Sequence, residues 1–249
     1  MARPSQGIDQ ALLRSGLALL PELGCTGLSV RRVAEHAGVN PAMFHYHFGN
    51  KAAFLRAVLQ QLYEQMFAGL SAGAAQRGSA VERLHAALFS LASFVREQRP
   101  VIGRLAVDAA NGEAVVHEFV RANAPRHLGL LLALAHEAEQ AGELQPMPPL
   151  QRFALLMGSV VAPVLVVPAV AAVQALPAAL AGTAIDQVLS DEALHQRIAL
   201  ALQALQTATA QPPVGRRAKR GNEGRSERPA EPPVEQPIER RPSRRRAPR

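Results

Sequence analysis

A glycine turn between two short helices is predicted close to the N-terminus of this chain. The segment runs from Ser29 to Lys51 and reads SVRRVAEHAGVNPAMFHYHFGNK. Ser29 is a typical N-cap, because its hydroxyl can accept a hydrogen bond from a backbone N–H in the first helical turn. Gly38 follows the first of the two helices, and glycine adopts at little cost the left-handed conformation in which many helices end. The pattern therefore predicts two helices and a tight turn.

The second of these helices is predicted to begin at Asn40, which can cap it, and Pro41, whose missing N–H costs nothing at the first helical position. Phe44 and Phe48 lie four residues apart and are predicted to form its buried face. The side chains on the other faces are mostly hydrogen-bond donors and rings, namely those of Met43, His45, Tyr46 and His47. A short second helix with such a surface is what the major groove of DNA receives in a helix-turn-helix.

The remainder of the chain predicts an all-α fold. Apolar residues recur at helical spacing from Ile8 to Leu23, so a first helix is expected to end at Gly24. Asn50 can cap a long helix after the turn. Further helical patterns cover residues 81–98, 101–111, 114–141, 150–176 and 186–207, with a break at Pro125 left open. Ala and Leu dominate, aromatic residues are few and no strand alternation persists, which also favours helices.

The positive charge of the chain is concentrated at its C-terminus. The net charge is +7, but residues 1–206 carry 15 Lys or Arg and 15 Asp or Glu, whereas residues 207–249 carry 12 and 5. The high pI therefore does not indicate that the folded part binds DNA. From Gln211 onward Pro, Arg, Glu and Gly replace the apolar residues, which predicts a disordered tail. Its basic runs are typical of a solvated tail, and the alternative is an arm that grips DNA without sequence preference.

The first fifty residues resemble the TetR family of bacterial transcriptional regulators. The resemblance is carried by the glycine after the first helix, the Ser cap, the VRRVA and AGV segments, the aromatic HYHF, and the NK that opens the fourth helix. It implies a sequence-specific DNA-binding regulator, most often a homodimeric repressor that binds an inverted-repeat operator and is released by a ligand. Repression is the habit of the family and is not visible in the sequence.

The resemblance also implies which residues touch DNA. Arg31 can reach bases or phosphates, and the residues that open the recognition helix read bases. His45 stands where the family most often has a tyrosine, so the neighbouring Tyr46 is expected to take over that contact. His47 and Lys51 are expected to donate to phosphates. The predicted DNA-binding residues are Arg31, Asn40, Pro41, Ala42, Met43, His45, Tyr46, His47 and Lys51.

A division of the chain follows from the same resemblance. Residues 1–51 would form the helix-turn-helix domain, residues 52–208 a helical effector-binding and dimerisation domain, and residues 209–249 the disordered Pro/Arg-rich basic tail. The helices over 153–185 and 186–207 of two subunits would form a four-helix bundle. The expected partners are a double-stranded DNA operator, a second copy of the chain and a small-molecule effector, without a cofactor.

No motif marks the effector cavity, so its lining is predicted from residue type alone. Apolar side chains would form its wall and polar side chains would orient the ligand. The apolar candidates are Phe67, Phe89, Phe94, Phe119 and Met157, and the polar candidates are Arg104, His117, Arg121 and His127. This set favours a hydrophobic or amphipathic effector, while each residue is also compatible with ordinary core or surface.

An uncharged run over residues 153–185 admits a second interpretation. It is long enough to cross a bilayer, which would make the protein a membrane-associated regulator. Pro163, Pro168 and Pro177 argue against a span, as does the lack of basic flanks or an aromatic belt. The other interpretations are a helix buried on several sides in a large core, and the dimer seam.

Enzymatic and metal chemistry receive little support from the sequence. There is no nucleophile–base pair, carboxylate pair or phosphate loop, although scattered residues of an α-helical enzyme can converge in a fold. His45 and His47 lie two apart on a helix and do not face one another, so no metal site is expected. Cys25 is the only cysteine and is expected to fill a loop. The N-terminus lacks the apolar stretch of a secretory signal, so a cytoplasmic protein is expected.

Overall fold

Residues 4–206 are described by a computed structural model, with side chains from residue 7 onward. These residues form helices and contain no β-strand, which confirms the all-α prediction. In chain order the helices are α1 (Pro4–Gly27), α2 (Val30–Ala37), α3 (Pro41–Phe48), α4 (Lys51–Ala74), α5 (Ala80–Glu97), α6 (Arg99–Ala110), α7 (Ala114–Gln140), α8 (Pro149–Leu156), α9 (Ala162–Ala172), α10 (Ala178–Ala181), α11 (Ala184–Leu189) and α12 (Asp191–Leu205). A π-helical segment, Met157–Val161, joins α8 to α9. The tail predicted over 209–249 lies outside the described residues.

The caps that the sequence predicts around the turn are present. Ser29 Oγ accepts a hydrogen bond of 3.3 Å from the backbone N–H three residues further on. Asn40 Oδ1 accepts one of 2.8 Å from the N–H two residues on, and Asn50 Oδ1 one of 2.9 Å from the N–H three residues on. Gly38 ends α2 with a φ of +67°. Because each of the three N-cap side chains accepts from an N–H that has no partner within the helix, each stabilises its helix by about 1 kcal/mol.

The first helix is longer than predicted. α1 begins at Pro4, and its regular helix is interrupted at Gly24 as predicted, where a φ of +64° and a ψ of 179° are non-helical; a further helical turn runs to Gly27. The side chain of Arg104, in α6, fills the space beside Gly24, and an added Cβ would collide with its guanidinium. Gly24 is therefore a bend that lets a neighbouring helix approach the backbone.

Two apolar clusters share one helix, α4. The N-terminal cluster surrounds Phe44 and Phe54, whose ring centroids lie 4.8 Å apart. Phe44 is fully buried, as predicted, whereas Phe48 is only half-buried at the edge of the same cluster. The C-terminal half of α4 places Met66 and Leu70 in a second cluster, formed with α5, α7 and α12. α4 therefore packs in both clusters and connects the helix-turn-helix to the helices that follow it.

The second half of the chain departs from the predicted boundaries. α7 runs unbroken through Pro125. The helix predicted over 150–176 is instead α8, the π-helical segment and α9, which ends at Ala172. Pro163 cannot donate an N–H to the carbonyl four residues earlier, which accounts for the disturbed helix. The helix predicted over 186–207 is divided into α11 and α12 at Ser190, which caps α12.

The uncharged run lies mostly on the surface of this subunit. The helical stretch Pro149–Ala172 is long and apolar enough to cross a membrane, with a mean hydropathy of 2.3 in an 18-residue window of which 17% is buried. The interpretation of this run as a helix buried on several sides in a large core is therefore wrong. Length and apolarity are weak evidence of a membrane span, because a helix that packs against a protein partner shares them.

Candidate nucleic-acid interface and ligand cavity

The predicted recognition helix, α3, presents Tyr46 to solvent. Tyr46 is 77% exposed, while the opposite side of the helix is packed into the N-terminal cluster. Pro41, Ala42 and His45 are also exposed, and Met43 is half-buried. A helix anchored on one face and open on the other can lie in a major groove, and a phenol there can reach a phosphate or a base edge.

The two histidines of α3 differ in the hydrogen bonds that their ring nitrogens already form. His45 Nδ1 donates to the carbonyl of Gly49 at 3.1 Å and so caps the end of the helix. His47 is half-buried, and its Nε2 is buried without a hydrogen-bond partner among the described residues. A phosphate contact through that nitrogen requires the His47 ring to turn outward.

Arg31 and Asn40 carry donors at the surface beside the recognition helix. The Arg31 side chain is 85% exposed, and its Nε donates to Glu35 at 2.7 Å, one helical turn away. The hydrogen bond and the charge of Glu35 raise the pKa of Arg31. Such an exposed pair exchanges readily for a phosphate. Asn40 uses Oδ1 to cap α3, and its amide group still has two N–H donors.

Lys51 has a structural partner that the sequence did not predict. Its Nζ donates to the backbone carbonyl of Thr26 at 2.7 Å and so ties the start of α4 to the end of α1. An ammonium has three donors, so this bond leaves capacity for a phosphate. Lys51 thus combines a structural contact with the predicted position at the positive end of α4.

A polar contact inside the N-terminal domain holds α2 against α1. His36 Nδ1 lies 2.9 Å from the hydroxyl of Ser15, which is only 4% exposed. The sequence analysis missed this pair. A signal was available, because Ser15 lies three residues after the fully buried Leu12 and hence on the same face of α1.

A cavity of about 840 Å³ lies between α4, α5 and α12, and it contains two of the predicted effector residues. Phe89 and Phe94 both line it. Met157 instead borders a much smaller pocket between α5, α7 and α8. The sequence analysis missed His85 and His195, which line the larger cavity from α5 and α12. The spacing of His85 and Phe89, four residues apart on one helix, was the available signal.

The remaining predicted effector residues have other surroundings. Arg104 pairs with Asp108 at 3.1 Å beside Gly24. His117 Nε2 lies 2.9 Å from a backbone carbonyl of α6, and Arg121 is exposed on α7.

Three more of them gather around Tyr63. Phe67 stacks on it at 6.0 Å and lies under the guanidinium of Arg126, while Phe119 meets Tyr63 edge-on at 6.0 Å. His127 Nδ1 is 3.5 Å from the Tyr63 hydroxyl, and burial lowers the pKa of His127. The predicted lining thus divides between the cavity and the packing of α4 against α7.

Within residues 7–206 no group of three or more His, Cys, Asp or Glu side chains is arranged to hold a metal ion.

The N-terminal part of the chain matches known regulators. Residues 12–58 fit the family described as bacterial regulatory proteins, tetR family. Tetracycline repressor protein class C of Escherichia coli is 40% identical over 53 residues, which make up 21% of this chain and 24% of that protein. The HTH-type transcriptional regulator BetI of Brucella canis is 29% identical over 89 residues, 34% of this chain and 45% of that protein. The chain thus spans less than half the length of these curated relatives.

The fold is shared over a longer stretch. A TetR family transcription regulator from Marinobacter aquaeolei VT8 superposes with a TM-score of 0.62 over 83% of this chain and 99% of that one. Its sequence is 17% identical. The similarity beyond the N-terminal domain is therefore one of fold.

Proposed function

The chain belongs to the tetR family of bacterial regulatory proteins through its N-terminal domain, and from that premise we propose that it is a ligand-released homodimeric repressor. DNA-binding transcriptional regulation is the function of this family. The finer points of the proposal are a two-fold operator, dimerisation and release by a small molecule. The observation that carries it is the exposure of Tyr46 on a helix that is capped at both ends and anchored in a core.

The proposed contacts with DNA divide by chemistry. Side chains on the open side of α3 face base edges and neighbouring phosphates, and those at the helix ends bind phosphate. The first group is Pro41, Ala42, Met43, His45 and Tyr46, and the second is Arg31, Asn40, His47 and Lys51. In this scheme Tyr46 contributes most, because His45 and Lys51 are already engaged with backbone carbonyls.

Dimerisation is supported by an exposed apolar surface on α8, α9 and α12, which we call the seam. Its large exposed side chains are Leu150, Leu155, Val166, Val173 and Leu200. Large exposed apolar side chains of this kind favour a protein contact in a soluble protein. A two-fold contact through the seam would set a fixed distance between two recognition helices, and an inverted-repeat operator requires that distance.

Release by a ligand would act through α4, which packs both in the N-terminal cluster and in the second cluster. We take residues 1–51 as the DNA-binding domain and residues 52–208 as the effector and dimerisation domain, so α4 begins at the boundary between them. A ligand that binds more tightly to the chain when the recognition helices are wrongly spaced will weaken operator binding. The effect can be no larger than the difference between the two ligand affinities.

The proposal is tested by selecting bound sequences from a random DNA pool with the full chain. The expected result is a palindromic consensus with a fixed half-site spacing. Loss of operator binding is expected for Tyr46→Ala at unchanged thermal stability, because the Tyr46 ring contributes little to the core. Val120→Ala is the matched control, since Val120 is 51% exposed on α7.

A selection that yields no consensus, or a Tyr46→Ala variant that binds the consensus as tightly as the parent, would contradict the proposal. We place the protein in the cytoplasm. Recovery of the protein only in detergent extracts would instead favour the membrane-associated regulator.

A further inference from the structure

One face of α5 supplies most of the chemistry of the 840 Å³ cavity. Glu82, His85, Phe89, Ser93 and Glu97 follow one another at intervals of three or four residues and all line it. Residues at this spacing share one face of a helix. The volume lies within the range of pockets that hold small organic molecules.

A stack of rings crosses this cavity. The ring of His195, on α12, lies 3.9 Å from that of Phe89 with an interplanar angle of 9°. The ring of His85 is parallel to that of His195 within 6°, at 5.2 Å. Parallel rings of this kind favour a flat aromatic molecule that extends the stack.

The carboxylates among the described residues that line the cavity have no Lys or Arg beside them in that lining. Glu82 and Glu97 are the acidic residues of the lining, and no Lys or Arg lines the cavity among the described residues. Burial lowers the pKa of His85, so its ring is neutral at neutral pH and does not oppose a cation. One oxygen of Glu82 accepts from the backbone N–H of Ser79, whereas Glu97 forms no ion pair with any described residue. Glu97 is thus the carboxylate available to a ligand.

A buried polar atom lies beside the same space. Ser93 Oγ is buried without a hydrogen-bond partner among the described residues, and Ser93 lies between Phe89 and Glu97 on the α5 stripe. A buried hydroxyl without a hydrogen-bond partner costs free energy. A ligand that supplies a hydrogen-bond donor or acceptor to Ser93 Oγ would therefore bind more tightly.

We propose that the cavity between α4, α5 and α12 binds a planar aromatic cation, which stacks on the ring of His195 and pairs with Glu97. The inference names the class of the effector and rests on the proposed function only for the consequence of binding. Binding itself requires neither DNA nor an operator. The exposed ring of His195 and the carboxylate of Glu97 favour such a molecule over an aliphatic chain or an anion.

The test is a fluorescence titration of the full chain, without DNA, with three tricyclic probes of similar size. Proflavine is a cation at neutral pH, anthracenemethanol is neutral and anthracenecarboxylate is an anion. Saturable binding is expected for proflavine and much weaker binding for the anion. Glu97→Gln is expected to weaken proflavine binding by about fivefold, as for other partly exposed ion pairs, and to leave anthracenemethanol binding unchanged.

Two variants complete the test. His195→Ala removes an exposed ring from the stack and is expected to weaken the binding of both proflavine and anthracenemethanol. Glu22→Gln, on α1, is the matched control and is expected to change nothing. Circular dichroism of each variant establishes that the helices are intact.

Equal affinity for the anion and the cation would overturn the proposal, as would unchanged proflavine binding in Glu97→Gln. The proposal would also be overturned if a second copy of the chain covered the cavity. In that case His195→Ala would sediment as a monomer while its affinity for proflavine stayed unchanged. Since operator binding is measured separately, failure of the probes to bind leaves the regulator function standing. Loss of operator binding leaves the ligand site standing.

Discussion

The carboxylate of Asp108, in α6, accepts a hydrogen bond of 2.7 Å from the backbone N–H of Cys25 in α1. Both residues are buried, at 3% and 1% exposure. Arg104 donates to the other carboxylate oxygen at 3.1 Å, so the buried charge has both a countercharge and a backbone donor. This contact fastens the N-terminal domain to the helices that follow α4.

Replacing Asp108 with Ala should lower the free energy of unfolding by roughly 1–3 kcal/mol, because the buried Cys25 N–H loses its acceptor. Arg104 is partly exposed and can turn to water. Urea denaturation measures the loss. Asp108→Asn is the control, since an amide oxygen can still accept from Cys25, and its loss should be smaller. Equal stability of Asp108→Ala and the parent would show that the contact contributes nothing.

The Cys25 thiol should be unreactive in the folded protein. Burial, followed by the hydrogen bond and charge of Asp108, raises the pKa of Cys25 to about 12. Disulfide reagents react with the thiolate form of cysteine. Labelling of Cys25 by such a reagent at neutral pH should therefore be slow in buffer and fast in urea. Fast labelling in buffer would contradict the burial of this side chain.

The same group makes stability depend on pH in the alkaline range. Between the ordinary value of 9.0 and the folded value of about 12 the unfolded state has lost its proton and the folded state keeps it. The contribution of Cys25 to the free energy of unfolding is therefore fully present below pH 9 and declines as the pH rises toward 12. Urea midpoints of the parent should fall over this range more steeply than those of Cys25→Ala.

Arg152 should matter far more than a surface arginine. It is 2% exposed, and its guanidinium binds Glu139 at 2.6 Å and the carbonyl of Gln145 at 3.0 Å. Arg152→Ala leaves the partly buried Glu139 carboxylate and the Gln145 carbonyl without their partner and should cost roughly 3 kcal/mol. Arg56→Ala breaks the half-exposed pair with Glu118 and should cost at most about 1 kcal/mol. Chemical denaturation of both variants compares the two losses directly, and similar values would refute the distinction.

A charge in the seam should separate the proposed dimer. Val166 is 55% exposed on α9, and Val107, on α6, is 50% exposed. Val166→Asp should sediment as a monomer and lose roughly a hundredfold in operator affinity, because the two recognition helices no longer act together. Val107→Asp should remain dimeric and bind normally. Dimers of Val166→Asp at micromolar concentration would exclude this surface as the contact.

The helix-turn-helix was predictable because its determinants are local. Ser29, Gly38, Asn40 and Asn50 act on backbone groups within three residues of themselves, so their caps could be identified without knowledge of any neighbour. Phe44 could be assigned to the core for the same reason, since its four-residue spacing from Phe48 defines a helix face.

The cavity between α4, α5 and α12 was not predictable in this way. Phe89 and Phe94, two of the predicted effector residues, do line this cavity. His195 joins Phe89 only because α12 packs against α5 from about a hundred residues further along the chain. Arg104 was predicted to face a ligand, and instead it covers Gly24. No local pattern distinguishes these outcomes, because an amphipathic helix has the same periodicity whichever helix covers it.

By itself, the sequence determined the all-α class, the capped helices of the helix-turn-helix and the polar side of its second helix. These features depend on backbone chemistry over a few residues. Tertiary structure alone decided that Lys51 holds the end of α1, that Asp108 fastens α6 to Cys25, and that the uncharged run lies on the surface. Each of these depends on which distant helices pack together, and that is set by the burial of whole faces.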